Sequence, residues 1–566
     1  VFGTPEQRID LRTWTDPMLE SLRQERFSWW EHWHELANLF LPRRYQWLIT
    51  PNRANRGTPI NTAILNNTPI MAVRTCASGV FAGTSGPTRP WFRLTIPGFD
   101  VDRNDAVKTW LDEAGRRVMR VFQESNYYQA KATQILDLVV FGTAPMIIYE
   151  DYDDIIRCFN PCAGEYFVGL SPRLSPDRLY REFTYTVQQT VSEFGEENCS
   201  PTVQSLYKSA QGGQNKEIVV CHAIEPNGNE GSNIVPKRFP WREVYWEKGQ
   251  PREMVLRVRG FFEQPFSAPR WDVVSNDAYG RSPTMDALGD VKQLNQMLKR
   301  QAQGIDKMVN PPLKASVSMK NRPASSLPGA VTYVDQMGNG EGMAPIYEVQ
   351  PRLNELSQTI EIVKQDIRST LFNDLFMMIS QLDTVRTATE IDARREEKLV
   401  LLGPVLERLQ GEGASKDIDR TLRIMGRLGL LPPAPPEIQG QHIEVNYVSM
   451  LAVAQRAAST AAIERVLALV GNLAAVDPSV TDVVDFDQAV EVYADALDAS
   501  PKIIRAAMQV QQMRQQRAQQ QQQQQMGQVA MSAVQGGKVL SETDVGGGIN
   551  ALQAMLGNTG QGGMAA

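Results

Sequence analysis

The chain has 566 residues, enough at about 100 to 200 residues per domain for roughly three or four packed units. Hydrophobic residues make up 42% and charged residues 22%, the balance of a globular protein, which argues against a disordered scaffold and a membrane channel. Lys and Arg number 58 against 64 Asp and Glu, a formal net charge of -6, so the basic excess of a protein that coats nucleic acid is missing. Five cysteines in so long a chain do not make a disulfide framework and suit a reducing compartment. Residues 1–17 lack the apolar core of a secretion signal, and no stretch reaches 18 uninterrupted apolar residues. Neither export nor a membrane span is expected.

Asp16 and Pro17 read as the cap and first residue of a helix over 18–41, which carries Leu19, Leu22, Trp29, Trp30, Trp33, Leu36 and Phe40 before Pro42. At that spacing the tryptophans read as core packing rather than as a base-stacking platform. Residues 43–97 are rich in Asn, Thr, Gly and Pro around a short apolar helix over 70–80, the composition of long loops laid over a neighbour. Helical patterns over 105–124 and 128–140 lead into strand-like runs at 146–150, 155–159, 183–190, 217–224, 241–246 and 254–262. These predict an α+β domain.

Ser282 and Pro283 form a second cap pair, opening a helix to about residue 308 with the stripe Leu288, Val291, Leu294, Leu298, Ala302 and Ile305. At 1.5 Å per residue it spans about 39 Å. Asn310, Pro311 and Pro312 end it. A Gly-, Pro- and Ser-rich stretch to residue 351, with strand-like runs at 330–334 and 346–349, predicts a small exposed knob. A second helix over 352–377 repeats Leu353, Leu356, Ile360, Val363, Ile367, Leu371 and Leu375 at three and four, so two long helices bracket the knob. Thr387 and Glu390 make a capping box for a third helix to about residue 410, bent at Gly403 and Pro404. That leaves 380–386 as a loop between helices.

Pro432, Pro433, Pro435 and Pro436 read as a stiff linker, followed by helical segments over 449–475 and 487–497. Ser500 and Pro501 cap a last helix in which twelve of the eighteen residues 511–528 are Gln and the bases Lys502, Arg505, Arg514 and Arg517 share the run with no acid. Such a helix is too polar to pack alone and is most readily ordered by copies of itself, which points to a ring. Gly536 and Gly537 are its natural stop.

The motifs of catalysis are missing. Gly537 and Lys538 precede Val539, so no phosphate-cradling G-x-x-x-x-G-K-[ST] is formed, and no G-x-G-x-x-G sits on a strand-to-helix turn. His32, His34, His222 and His442 are too scattered for H-E-x-x-H. Cys158 and Cys162 stand four apart and Cys221 adjoins His222, but no second C-x-x-C supports a metal, and buried or loop thiols are favoured. Gly280-Arg281-Ser282 lacks the glycine of a nucleophile elbow, which leaves Ser282 as a helix cap. No catalytic residue, metal or cofactor is expected.

Several phrases in combination carry a resemblance. They are Arg26-Phe27-Ser28-Trp29-Trp30-Glu31, Leu41-Pro42-Arg43-Arg44-Tyr45, Ala77-Ser78-Gly79 leading to Thr88-Arg89-Pro90-Trp91-Phe92, Arg270-Trp271 and Tyr279-Gly280-Arg281-Ser282-Pro283. Later come Asp286-Ala287-Leu288-Gly289-Asp290, Asn310-Pro311-Pro312, Thr387-Ala388-Thr389-Glu390-Ile391 and Leu402-Gly403-Pro404-Val405. Over nearly its whole length the chain resembles the portal, or head-to-tail connector, proteins of short-tailed bacteriophages related to the T7-like group.

The resemblance implies a mainly helical α+β portal fold around a central channel. Residues 1–281 would form a wing, 282–308 and 352–377 the stem helices, 309–351 the clip, and 378–413 a tunnel loop with a long wing helix. Residues 414–499 would form a crown, 500–535 a barrel helix and 536–566 a flexible tail. It implies a homo-oligomeric ring, usually of twelve, at one capsid vertex of the virion, assembled in the host cytoplasm. Through it double-stranded DNA passes without sequence specificity during packaging and ejection. The implied partners are a terminase motor, a tail adaptor, and capsid and scaffolding proteins, with no membrane. The implied sites are the tunnel loop with Ser380, Gln381, Asp383, Thr384 and Arg386, the clip surface with Lys314, Lys320, Arg322 and Glu341, and the barrel bases Lys502, Arg505, Arg514 and Arg517. Twelve stem units about 10 Å apart place helix axes on a circle roughly 38 Å across, with a bore of about 28 Å that a duplex fits. A packaging enzyme would need the missing Walker motif. A non-portal adaptor or scaffold ring would also be acidic and multimeric, but it need not have paired long helices around a knob.

Overall fold

A computed structural model describes residues 3–42, 64–97, 105–209, 212–228, 234–309, 313–314, 344–345, 352–380, 402–438, 443–447 and 466–473, with scattered positions between 484 and 520. The chain divides into two compact units, one holding residues 1–99 and 106–462, the other 100–105 and 463–566.

In the first unit, helix α1 (Pro5–Phe40) starts well before the expected cap. Thr4 accepts the Gln7 N–H on its hydroxyl while its own N–H donates to the Gln7 side chain, a complete capping box. Pro17 lies inside the helix, and Asp16 pairs with Arg12 at 2.9 Å and with Arg252 at 3.4 Å instead of capping. One proline removes one N–H, and burial of Leu11, Leu19 and Leu22 along a continuous stripe outweighs it. Helices α2 (Thr68–Ser85), α3 (Asp105–Glu124) and α4 (Tyr127–Phe141) follow, with strand β1 (Phe92–Thr95) between the first two.

Strands β2 (Met146–Asp151), β3 (Ile155–Phe159), β4 (Tyr166–Leu170) and β5 (Pro176–Thr186) come next. The expected strand over 183–190 stops at Thr186. There a second capping box with Gln189 opens α5 (Val187–Phe194), which is followed by α6 (Pro201–Lys208). Strands β6 (Glu217–Pro226), β7 (Trp241–Glu247), β8 (Arg257–Phe261) and β9 (Phe266–Ser267) complete two antiparallel sheets, ordered β4-β5-β6-β7-β8 and β3-β2-β9. In the larger sheet Tyr180, Ala223, Val244 and Val258 stand in register across four strands and pack in one cluster with Leu11, Leu19 and Leu22 of α1. The other face packs Phe183, Val220 and Tyr245 against Val187, Phe194 and Val203 of α5 and α6.

Helix α7 (Pro283–Asp286) is a single turn, parted by Ala287 from α8 (Leu288–Val309). Strands β10 (Leu313–Lys314) and β11 (Ala344–Pro345) pair antiparallel, and the strand-like runs expected at 330–334 and 346–349 lie outside the described residues. The second expected helix is two: α9 (Leu353–Thr370) and α10 (Asn373–Ser380), separated at Phe372, whose φ is 56°. The break lets Phe376 fold onto α2, where a Cβ on Gly79 would stand 2.2 Å from the Phe376 ring.

Residues 402–408 are α-helical, Leu409–Ala414 widen into a π-turn, and α11 (Ser415–Arg427) continues past the expected end near 410. Among the described residues the irregularity falls at the turn holding Gly411 and Gly413, beyond the Gly403-Pro404 bend expected from sequence. Strand β12 (Glu444–Tyr447) returns to pair with β1, Phe92 opposite Tyr447. The largest core joins Trp33, Leu36 and Phe40 of α1 to α2, α4, the start of α8, the end of α9 and Leu402, Leu406 and Leu409. In the second unit, residues 466–473 are helical, with Val470 buried and Val466, Leu469 and Leu473 exposed.

Candidate functional site

The paired helices α8 and α9 are seated on the body through the phrase Tyr279-Gly280-Arg281-Ser282-Pro283. Tyr279 is fully buried, its ring edge-on to Trp33 at 5.1 Å, and its hydroxyl accepts the Val168 N–H at 3.1 Å. Trp33 is thus core, as its spacing predicts, while Trp29 and Trp30 pack half-buried on the same cluster. Gly280 lies against Gly142: a Cβ on Gly280 would stand 2.4 Å from the Gly142 carbonyl oxygen. Its N–H donates to Thr143 Oγ1 at 2.7 Å. Gly142 itself ends α4 at a φ of 75°, where a side chain is strained. Ser282 then caps α7, accepting the Met285 N–H at 3.3 Å and donating to the Val140 carbonyl at 2.8 Å, as the sequence predicts.

From this root the chain runs out along α8 and back along α9. Gln301 donates to Ser357 at 3.0 Å midway, and the β10–β11 pair closes the neck of the segment between them. Val291 and Leu294 of α8 and Ile360, Val363 and Ile367 of α9 are buried, whereas Ala302 and Ile305, farther along the predicted stripe, are exposed. The stripe therefore packs inward only near the root.

Charged anchors hold the helical run that follows. Arg270, 4% exposed on its side chain, grips Glu412 of the π-turn through Nη2 at 2.6 Å and Nε at 3.1 Å, and its remaining donors reach the carbonyls of Asp277 and Leu174. Lys131 of α4 meets Asp417 of α11 at 2.9 Å, with both side chains almost fully buried. Arg420 and Arg427 share Glu263. Sequence reasoning missed the Lys131–Asp417 pair, since no local pattern links residues 286 apart. Arg270 and Gly280 do lie inside phrases singled out above.

In the large sheet, His222 and Glu243 form a buried contact at 2.8 Å, and Arg181 donates from Nε to His222 Nδ1 at 2.8 Å. Burial, then the nearby Arg181 charge, pulls the His222 imidazole down to about 4. Cys158 and Cys162 are buried, and burial pushes the Cys158 thiol up. Among the described residues no group of three or more His, Cys, Asp or Glu is arranged to hold a metal ion. No helix among them is long and apolar enough to cross a membrane.

Of the residues expected to act, Ser380 ends α10, Lys314 pairs with Ala344 at the neck, and Arg514 and Arg517 lie on a helical stretch. Gln381, Asp383, Thr384, Arg386, Lys320, Arg322, Glu341, Lys502 and Arg505 lie outside the described residues.

Residues 14–504 match the family described as bacteriophage head to tail connecting protein. A probable portal protein of Bordetella phage BPP-1 is 39% identical over 507 residues, 89% of this chain and 90% of its own. A portal protein of Salmonella phage epsilon15 is 39% identical over 528 residues, 93% of this chain and 94% of its own. A solved chain from the virion of a native gene transfer agent particle covers 71% of this chain and 86% of its own at 12% identity, but its TM-score of 0.34 is too low to establish a shared fold. The match across most of the sequence, through both helices of the pair and their seat on the body, places the chain in the bacteriophage head-to-tail connecting protein family.

Proposed function

We propose that the chain is a portal: a closed ring, of twelve copies, at one capsid vertex, through which double-stranded DNA passes during packaging and ejection. The observation that carries this is the family match over residues 14–504 together with 39% identity to portal proteins over nearly the whole chain. The out-and-back pair α8 and α9, with a knob pinched at its neck by β10 and β11, supports the assignment of stem and clip. The role is structural, with no chemistry catalysed and no cofactor required.

Residues 1–281 serve as the wing, 309–351 as the clip, 414–499 as the crown and 500–535 as the barrel. Since α11 is packed into the body through Asp417 and Arg420 and β12 pairs with β1, the free part of the crown starts beyond residue 447. The clip, with Lys314, Lys320, Arg322 and Glu341, docks the terminase motor and later the tail adaptor through transient polar contacts. The loop 380–386 reaches into the channel, where Arg386 touches phosphates without base specificity and resists slippage of DNA, partly offset by Asp383. Gln381 and Thr384 line the same loop. The barrel bases Lys502, Arg505, Arg514 and Arg517 face the packaged genome. Negatively stained images and native mass spectrometry of the purified chain test this: closed rings with a through-channel are expected, and monomers alone at micromolar concentration, or rings without a channel, would overturn it.

A further inference from the structure

The solvent face of α8 carries a charge pattern unlike that of its partner helix. Taking 100° per residue, the buried positions Leu288, Val291 and Leu294 define one side. The arc from about 20° to 140° past Leu288 presents Gln293, Gln296, Lys299, Arg300, Gln303 and Lys307, all exposed, with Lys299 at the end nearest Leu288. No acid falls within this arc, and Asp306 stands at its edge. Lys292, on the same side near the root, is taken by Glu35 at 2.6 Å. Lys299, Arg300 and Lys307 have no ion-pair partner among the described residues.

The outward face of α9 is different. Two of its three acids are paired, Glu355 with the capping residue Arg352 at 3.1 Å and Glu361 with Lys364 at 2.6 Å, Asp366 is exposed, and the helix also exposes Ile362 at 59%. A neighbouring copy presenting this face to α8 would offer few free carboxylates to the three cations. An exposed isoleucine among polar residues suits contact with protein, whereas an acid-free row of cations and glutamines suits a polyanion.

We infer that the Lys299, Arg300 and Lys307 face of α8 is the stem surface that meets duplex DNA, while α9 is turned toward neighbouring copies. This rests on the portal reading and adds which helix lines the channel. Arg300 and Lys307 lie roughly 10 Å apart along the helix, and each strand of the duplex carries a phosphate about every 3.4 Å of its axis, so both cations reach the backbone at once. The glutamines between them donate hydrogen bonds without adding charge. Phosphate binding scales with the number of neutralised charges, so the spacing keeps affinity low enough for the strand to move.

The test places a benzophenone amino acid at Gln303 on α8, or at Gln358 on the outward side of α9, in full-length rings loaded with duplex DNA and irradiated. Gln303 is expected to give DNA adducts and Gln358 adducts to a neighbouring copy. Adducts from Gln303 only to protein would make the α8 face a subunit interface and overturn the inference with the channel intact. DNA adducts from Gln358 alone would assign the lining to α9, with the same consequence. No DNA adduct from either position, in rings seen to be closed, would overturn the portal reading as well. As a second measurement, the variant K299Q/R300Q/K307Q keeps good helix formers and should still assemble. Its dependence of ring–DNA affinity on salt should be shallower by about 0.9 in log–log slope for each phosphate that is no longer neutralised. An unchanged slope would refute the assignment.

Discussion

The buried pair between Lys131 and Asp417 offers the sharpest test of how α4 holds α11. Asp417 Oδ2 accepts from Lys131 Nζ at 2.9 Å and from the Tyr127 hydroxyl at 3.2 Å, and Lys131 also donates to Gln134 Oε1 at 2.9 Å. The two side chains are 1% and 0% exposed, and Asp417 Oδ1 has no hydrogen-bond partner. Lys131→Met would leave a buried carboxylate facing one phenol, and Asp417→Leu would leave a buried ammonium facing one amide. Each single change should cost about 3 to 5 kcal/mol, because an unpaired buried charge forfeits its hydration. Removing both charges removes that penalty and the unsatisfied oxygen together, so K131M/D417L should return to within about 1 to 2 kcal/mol of the parent, the remainder being the Tyr127 hydroxyl and Gln134 Oε1 left without these partners. Thermal and urea unfolding, followed by circular dichroism and tryptophan fluorescence, would show each single variant losing at least about 5 °C and the double variant recovering most of it. If the double variant instead loses the sum of the two single changes, the pair is not what joins α11 to α4.

Other expectations concern the large sheet, the seat of α8 and the loop 380–386. Burial, then the Arg181 charge donating at Nδ1, holds His222 neutral against the opposing pull of Glu243 at Nε2, with its folded value near 4 against about 6.5 unfolded. Between those values the unfolded chain binds more protons, so stability should fall as pH drops from about 6.5 toward 4, by up to about 1.4 kcal/mol per unit. His222→Gln should flatten that slope, and an unchanged slope would remove His222 from the account. Gly280→Ala forces a Cβ to 2.4 Å from the Gly142 oxygen and 3.0 Å from the Trp271 nitrogen, both backbone atoms. The cost should be about 1 to 3 kcal/mol, and an unaltered melting temperature would contradict the close glycine contact. Arg386→Ala should leave rings assembled but lower retention of packaged DNA, measured as full-length genome per particle. Parental retention would reduce Arg386 to ordering its own loop through Asp383 or Glu390.

Local chemistry made the helical skeleton legible. The stripes of α8 and α9 and the Ser282 cap depend on neighbours within a turn or two, so spacing and residue type suffice to find them. The same locality explains where reading along the chain went astray. Asp16-Pro17 has the form of a helix start, but the buried stripe Leu11, Leu19 and Leu22 against the sheet carries the helix through it. Residues 187–190 continue a strand pattern, yet the reciprocal bonds of Thr186 and Gln189 turn the chain into a helix. Phe372 breaks the second long helix expected from sequence because the partner of Phe376 is Gly79 on α2, nearly three hundred positions earlier in the chain. Tertiary structure alone decided which distant charges met: Lys131 with Asp417, Arg270 with Glu412, Arg420 with Glu263. A charge that is solvated in the open chain must find its opposite once burial strips its water, and only the folded topology sets which opposite is within reach.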